Sequence, residues 1–125
     1  MVKRKKQSDS EKLCDAIIAG MQDNKAKDIV LLDLRLIESA VCDFFVICSG
    51  ESSTQVDGIA ESVARNTRKK LKQRPWHIEG KTKSEWVLLD YIDVVAHIFY
   101  KETRSFFDLE DLWCDGVRTD LPNLN

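Results

Sequence analysis

Asp90 and Asp93 are the best-placed pair of acids in the chain. A D-x-x-D spacing is what metal-dependent phosphoryl transfer would draw on, because it needs carboxylates converging on one ion. The two flank a tight turn between apolar runs, however, so their side chains need not point the same way. Asp in such positions commonly bonds nearby backbone amides instead. His97 and His77 are the available imidazoles. A nucleophile pair of His97 with Cys48 would require hydrogen-bond reach, and nothing in the spacing brings them together. Ser49-Gly50-Glu51-Ser52-Ser53 lies between a strand and a helix start, a position suited to anions. It has one glycine and lacks both G-x-x-x-x-G-K-[ST] and G-x-G-x-x-G, so helix capping is the better reading. Arg65, Arg68, Lys69, Lys70, Lys72 and Arg74 form a basic run with no acid from Ser62 to Ile78. Such a run can touch phosphates, although no aromatic residue interleaves with it to stack bases. No catalytic set emerges from these residues.

The elements that must position them follow from periodicity. Ser8-Asp9-Ser10-Glu11 has the form of a capping box, and Leu13, Ala16, Ile17 and Met21 follow at helical spacing, with Asn24 as the stop. Ile29–Leu34 and Phe44–Cys48 read as buried strands. Ser52, with Gln55 reaching back to it, opens a long helix whose apolar face is Val56, Ile59, Ala60, Val63, Thr67 and Leu71. Arg74-Pro75 ends that helix. Trp76–Glu79 predicts a short strand, and Glu85–Tyr91 with Asp93–Lys101 predicts a hairpin. Ser105 can cap a last helix carrying Phe106, Phe107, Leu109, Leu112 and Trp113.

The resulting order α-β-β-α-β-β-β-α predicts an α/β fold, a mixed β-sheet with helices packed against it. Side chains alternate along a strand, so Trp86, Leu88 and Asp90 share one face, as do Val95, His97 and Phe99. Ala96 and Ile98 suit the core, and the larger His97 and Phe99 suit a less tightly covered side. The chain has too many large aromatics to bury at once, so an exposed subset is expected to mark a binding patch.

The chain has 125 residues, 43% hydrophobic and 32% charged, which describes a single globular domain. No apolar run approaches the roughly 20 residues of a membrane span. Lys3, Arg4, Lys5 and Lys6 precede no apolar stretch, so no secretory signal is expected. Cys14, Cys42, Cys48 and Cys114 make no metal-ligand spacing, so a reduced, cytoplasmic protein without metal or cofactor is expected. Residues 1–75 carry 14 Lys/Arg against 11 Asp/Glu, and residues 76–125 carry 5 against 10. The acidic half could favour a basic partner.

The block W-x-x-x-D-x-x-D-V-x-x-H-x-F from Trp86 to Phe99, followed by R-x-F-x-x-L-E-x-L-W from Arg104 to Trp113, resembles the ribosomal silencing factors of the RsfS/Iojap family. Lys27–Leu34, Cys42–Gly50, Ser53–Val63 and Glu79-Gly80 match in the same order. The resemblance covers about residues 9–115. A basic tail over residues 1–8 and a tail over 116–125 lie outside it, and both are expected to be flexible. The family implies a degenerate nucleotidyltransferase-like fold without catalysis. It implies binding to the large-subunit ribosomal protein uL-fourteen on the large ribosomal subunit, a steric block of subunit joining, and repression of translation and ribosome assembly. Carried over by position, the docking residues are Trp86, Leu88, Asp90, His97, Phe99, Arg104 and Phe107. Peripheral rRNA contact and a homodimer of the free protein stay open, and no membrane partner is implied. The alternative is a small metal-dependent nucleotidyltransferase-like enzyme using Asp90 and Asp93. The chain departs from the family pattern at Ile92, where glycine is frequent, and at Phe107, where tyrosine is.

Overall fold

The structure, a computed structural model, describes residues 7–124. The expected basic tail therefore lies mostly outside the described residues, but Gln7 and Ser8 do not. Ser8 caps the first helix, α1 (Asp9–Asp23): its hydroxyl accepts from the Glu11 amide, and the Glu11 carboxylate accepts from the Ser8 amide. This is the reciprocal capping box written in the sequence. Asn24 ends α1 with φ −108°, and it is Lys25, at φ 58°, that takes the left-handed turn.

Strands β1 (Lys27–Asp33) and β2 (Phe44–Gly50) pair antiparallel. Helix α2 (Ser53–Leu71) crosses over, and β3 (His77–Glu79), β4 (Trp86–Asp90) and β5 (Val94–Tyr100) follow. Ser52 caps α2 as expected, but the Gln55 side chain accepts from the Glu51 amide rather than from Ser52. Helix α2 ends three residues before Arg74, with Lys72 in the left-handed conformation. The chain continues through α3 (Lys101–Phe107), α4 (Leu109–Leu112) and β6 (Val117–Asp120).

The sheet order is β3-β4-β5-β2-β1-β6, with β2 and β5 parallel and every other pair antiparallel. All seven residues of β2 are buried, as a strand covered on both faces requires. On one face α1 and α2 pack Leu13, Ile17, Met21, Ile59 and Val63 against Val46, Cys48, Leu89, Ala96 and Ile98. The helices approach closely at Gly20, where a Cβ would fall 2.8 Å from the Val63 Cα. Ser62 donates to the Gly20 carbonyl and Asn66 to the Ala16 carbonyl, both at 2.7 Å, which fixes the antiparallel register of the pair.

Two sequence expectations are corrected here. The last helix is not capped by Ser105. It starts at Lys101 directly from β5, has no side-chain cap, and breaks at Asp108 (φ 45°) into two short helices. The segment after Gly116 is not a loose tail, because β6 adds an edge strand to β1 in the register Val30↔Asp120 to Asp33↔Val117. The Asn123 side chain extends this edge by accepting from the Asp28 amide at 2.7 Å.

The β4–β5 turn centres on Ile92, which has φ 75°. The Asp93 amide donates to the Tyr91 carbonyl at 3.0 Å, and the Ile92 amide donates to the Asp90 carboxylate at 2.7 Å. A γ-turn with positive φ is strained even for unbranched residues, and a β-branched side chain is a clear outlier there. Ile92→Gly is expected to stabilise the fold by roughly 0.5–1 kcal/mol, the relief of left-handed strain less the added freedom of glycine in the unfolded chain. A urea midpoint for the variant at or below that of the parent would contradict this reading.

Candidate functional site

The second face of the sheet carries Val30, Leu32, Phe45, Ile47, Val95, His97 and Phe99, and α3, α4 and residues 36–42 cover it only in part. At the uncovered end, register places Trp86 opposite Phe99, Leu88 opposite His97 and Asp90 opposite Val95. The Trp86 ring stacks on Phe99 at 4.8 Å and lies 4.7 Å from Phe107 of α3. Its indole N–H donates to His97 Nδ1 at 3.1 Å. The indole is therefore held by a ring beneath it, a ring beside it and a directed bond, and only part of it faces solvent. A shallow cleft of about 400 Å³ opens alongside, between Gly80, Thr82, Lys83, Trp86, Thr103 and Phe107.

Of the docking residues drawn from the sequence, Trp86, Leu88 and Asp90 are half-buried and Phe107 is exposed. His97, Phe99 and Arg104 are buried, and the expectation that His97 and Phe99 lie on a looser side is corrected. Phe99 is fully covered because Trp86 lies flat on it. His97 is closed in by Trp86 and by Phe45, whose ring centroid lies 4.5 Å away. With Nδ1 accepting from the indole, the imidazole proton is assigned to Nε2, which is buried without a partner. Arg104 turns inward, donating to the Ser49 hydroxyl at 2.8 Å and to the Glu110 carboxylate at 3.2 Å. A desolvated guanidinium needs such partners, and the effect is to fasten α3 and its aromatic end to β2. These three residues position the surface and do not form it.

Residues beyond the sequence selection are exposed. Phe106, next to Phe107, is 84% exposed, and Leu112 is also open. At the end of the sheet near the strained turn, Val41, Trp76 (77% exposed) and Ile92 (59%) flank a second shallow cleft with Asp90. Singly, such positions read in sequence as loop or strand-end residues. Only the fold gathers them.

The chemical alternatives find little support in the geometry. Cys48 pairs with Ile98 and so faces the helices, whereas His97 pairs with Ile47 and faces the other side, so no Cys–His dyad forms. Burial also pushes the Cys48 thiol well above its ordinary value, away from the thiolate. Asp90 spends one oxygen on the Ile92 amide, as a turn residue does. His77 pairs with Glu79 at 3.4 Å on the exposed edge strand. Among the described residues, no group of three or more His, Cys, Asp or Glu side chains is placed to hold a metal ion. No helix among them is long and apolar enough to cross a membrane. A larger cleft of about 700 Å³ beyond Arg104 is lined by Ser49, Lys101, Arg104, Glu110 and Arg118 among others. Its cations are already paired, Lys101 with Glu51, Arg104 with Glu110 and Arg118 with Asp120.

The family model described as "Ribosomal silencing factor during starvation" matches residues 7–125, including the C-terminal residues that the sequence resemblance left out. The ribosomal silencing factor RsfS of Bacillus subtilis is 41% identical over 103 residues, covering 82% of this chain and 86% of the relative. The RsfS of Halalkalibacterium halodurans is 36% identical over 115 residues, covering 90% and 94%. A crystal structure of a Chromobacterium violaceum protein superposes with a TM-score of 0.79 at 30% identity, covering 85% of this chain and 87% of that one. The α/β fold is thus shared with this solved structure.

The buried imidazole has a measurable signature. Burial lowers the His97 pKa from 6.5 to about 3, while the unfolded chain keeps an ordinary histidine. Between those values the unfolded state binds a proton that the folded state refuses, so the stability present above pH 6.5 falls as the pH falls toward about 3. The slope approaches about 1.4 kcal/mol per pH unit within that window. His97→Gln, which keeps an acceptor for the indole and cannot titrate, is expected to flatten this part of the profile. Urea unfolding of both proteins across the window checks it, and parallel profiles would refute the buried neutral imidazole.

Proposed function

The chain belongs to the ribosomal silencing factor family, and on that premise we propose that it binds the large ribosomal subunit through protein uL-fourteen. Bound there it blocks joining of the small subunit by its own volume and so represses translation in the cytoplasm. It needs no catalysis, metal or cofactor to do this. The observation that carries the reading is the clamped indole: Trp86 is stacked on Phe99, flanked by Phe107 and bonded to His97, yet remains partly open beside an apolar cleft. An aromatic anchor whose rotamer is fixed before binding loses little entropy when a partner closes over it, and such residues are enriched among interface hot spots. Leu88, Asp90 and Phe107 border the anchor, and exposed Phe106 enlarges the patch.

The test separates docking from folding. Trp86→Ala is expected to keep a cooperative unfolding transition yet to lose about 2 kcal/mol or more of binding to isolated large subunits. Co-sedimentation measures the loss, and undiminished binding by the folded variant would reject the patch. Adding the parent protein to separated subunits should leave fewer joined ribosomes in a sucrose gradient. An unaltered profile at saturating protein would reject the steric mechanism. For the enzymatic alternative through Asp90 and Asp93, Mg²⁺-dependent nucleotide binding by calorimetry is the deciding result.

A further inference from the structure

Six cations on and just after the C-terminal half of α2 have no counter-charge among the described residues. Arg65, Arg68, Lys69, Lys70, Lys72 and Arg74 are all exposed. Every other arginine among the described residues is paired with a carboxylate: Arg35 with Asp33, Arg104 with Glu110 and Arg118 with Asp120. Among the described residues, Arg65, Arg68 and Arg74 make no ion pair and no side-chain hydrogen bond. Arg65, Arg68, Lys69 and Lys72 stand three and four residues apart, so like charges adjoin along one helix stripe, an arrangement that opposes helix formation. Favourable interaction with the helix dipole covers only the last turn. It does not account for Arg65, nearly two turns from the end, or for Arg74, beyond it.

The surface next to this stripe carries an exposed aromatic. The Trp76 amide is bonded to the Asp90 carbonyl at 2.7 Å, which ties its backbone to the sheet, while its side chain projects with 77% exposure. It stands two positions after Arg74, with only Pro75 between them, a chain reach of roughly 7 Å. Unpaired cations with an adjacent free indole are the components with which proteins hold single-stranded nucleic acid, phosphates on the charges and a base on the ring. A membrane surface fits less well, because the exposed stripe has no apolar side chains to insert.

We propose that the C-terminal half of α2, together with Trp76, is a binding surface for single-stranded RNA. The phosphate backbone runs along Arg65, Arg68, Lys69 and Lys72, and one base stacks on the Trp76 indole. Helix α2 covers the opposite face of the sheet from Trp86, so its basic stripe is separate from the docking patch, whereas Trp76 borders the cleft that also holds Asp90.

Fluorescence anisotropy of a labelled oligouridine with the full chain, over a series of salt concentrations, tests this. The parent is expected to bind at low salt, with an association constant that falls steeply as salt rises. Combined Arg68→Glu, Lys69→Glu and Lys72→Glu should weaken binding at least about tenfold and flatten the salt dependence. Trp76→Ala should weaken it about five- to tenfold with the salt slope unchanged. Trp86→Ala should bind RNA as the parent does. Should the charge-reversed protein fail to fold, the Arg68→Gln, Lys69→Gln and Lys72→Gln variant gives the same reading with a smaller loss. Absence of oligouridine binding, indifference to the charge changes in a folded variant, or indifference to Trp76→Ala would overturn the proposal. So would sedimentation with phosphatidylserine vesicles by a protein that does not bind oligouridine.

Discussion

The parallel pairing of β2 with β5 at the centre of the sheet is the constraint on which the rest depends. Strands in that position are buried on both faces and need two layers of cover. Helices α1 and α2 supply one layer in full, locked together at Gly20 and by the Ser62 and Asn66 hydrogen bonds. The other layer is short of material. Helices α3 and α4 and residues 36–42 reach across Phe45, Ile47 and Val95 but leave Trp86 and Leu88 of β4 partly open. What remains is closed by the sheet's own side chains, with Trp86 lying over Phe99. The candidate docking site is thus the place where the fold runs out of cover, and the ring that completes the core is also the ring proposed to meet a partner.

Polar groups beneath that ring show a trade of stability for orientation. His97 Nε2 and Glu110 Oε1 are buried without partners, and an unsatisfied group of this kind costs about 1–3 kcal/mol. Their other atoms are engaged in directed bonds: His97 Nδ1 accepts from the Trp86 indole, and Glu110 Oε2 accepts from Arg104. A leucine in place of either would bury more easily and direct nothing. Arg104 acts in the same way through Ser49, holding the base of α3 so that Phe107 reaches the flank of Trp86. The strained Ile92 turn is likewise tied by a directed bond, from the Ile92 amide to the Asp90 carboxylate. It presents an isoleucine to solvent in a conformation that suits glycine.

Periodicity made the helix and strand framework legible. The capping box of α1, the Ser52 cap and apolar stripe of α2, and the alternation of β4 and β5 are local rules, and each held to within a few residues. The sharing of faces by Trp86, Leu88 and Asp90, and by Val95, His97 and Phe99, followed from the same alternation. Which of those side chains stays open to solvent did not, because that depends on α3 folding back over β5 and on Trp86 covering its neighbour. Strand β6 was illegible for a related reason. Val117–Asp120 is exposed at every position and carries no hydrophobic pattern, so its order comes from backbone pairing with β1 and from Asn123 reaching Asp28. Arg104 illustrates the remaining limit, since an arginine in a motif looks like a surface contact until its partners Ser49 and Glu110, far apart in sequence, are seen to meet.

The clamped indole and the basic helix end stand on opposite faces of one rigid sheet, which has consequences for how they would act together. Binding energies at sites with no shared side chains add. Once one surface is engaged, the second meets its partner at an effective concentration set by the fixed geometry rather than by diffusion. A weak phosphate contact, screened at physiological salt when alone, becomes appreciable when the aromatic patch already anchors the protein. The reverse also follows: a salt-sensitive contact steers encounter and raises the rate of association, while the dry, stacked indole governs release. Charge on α2 and aromatics over β4 and α3 would then divide the work between arrival and residence, without any moving part in the fold.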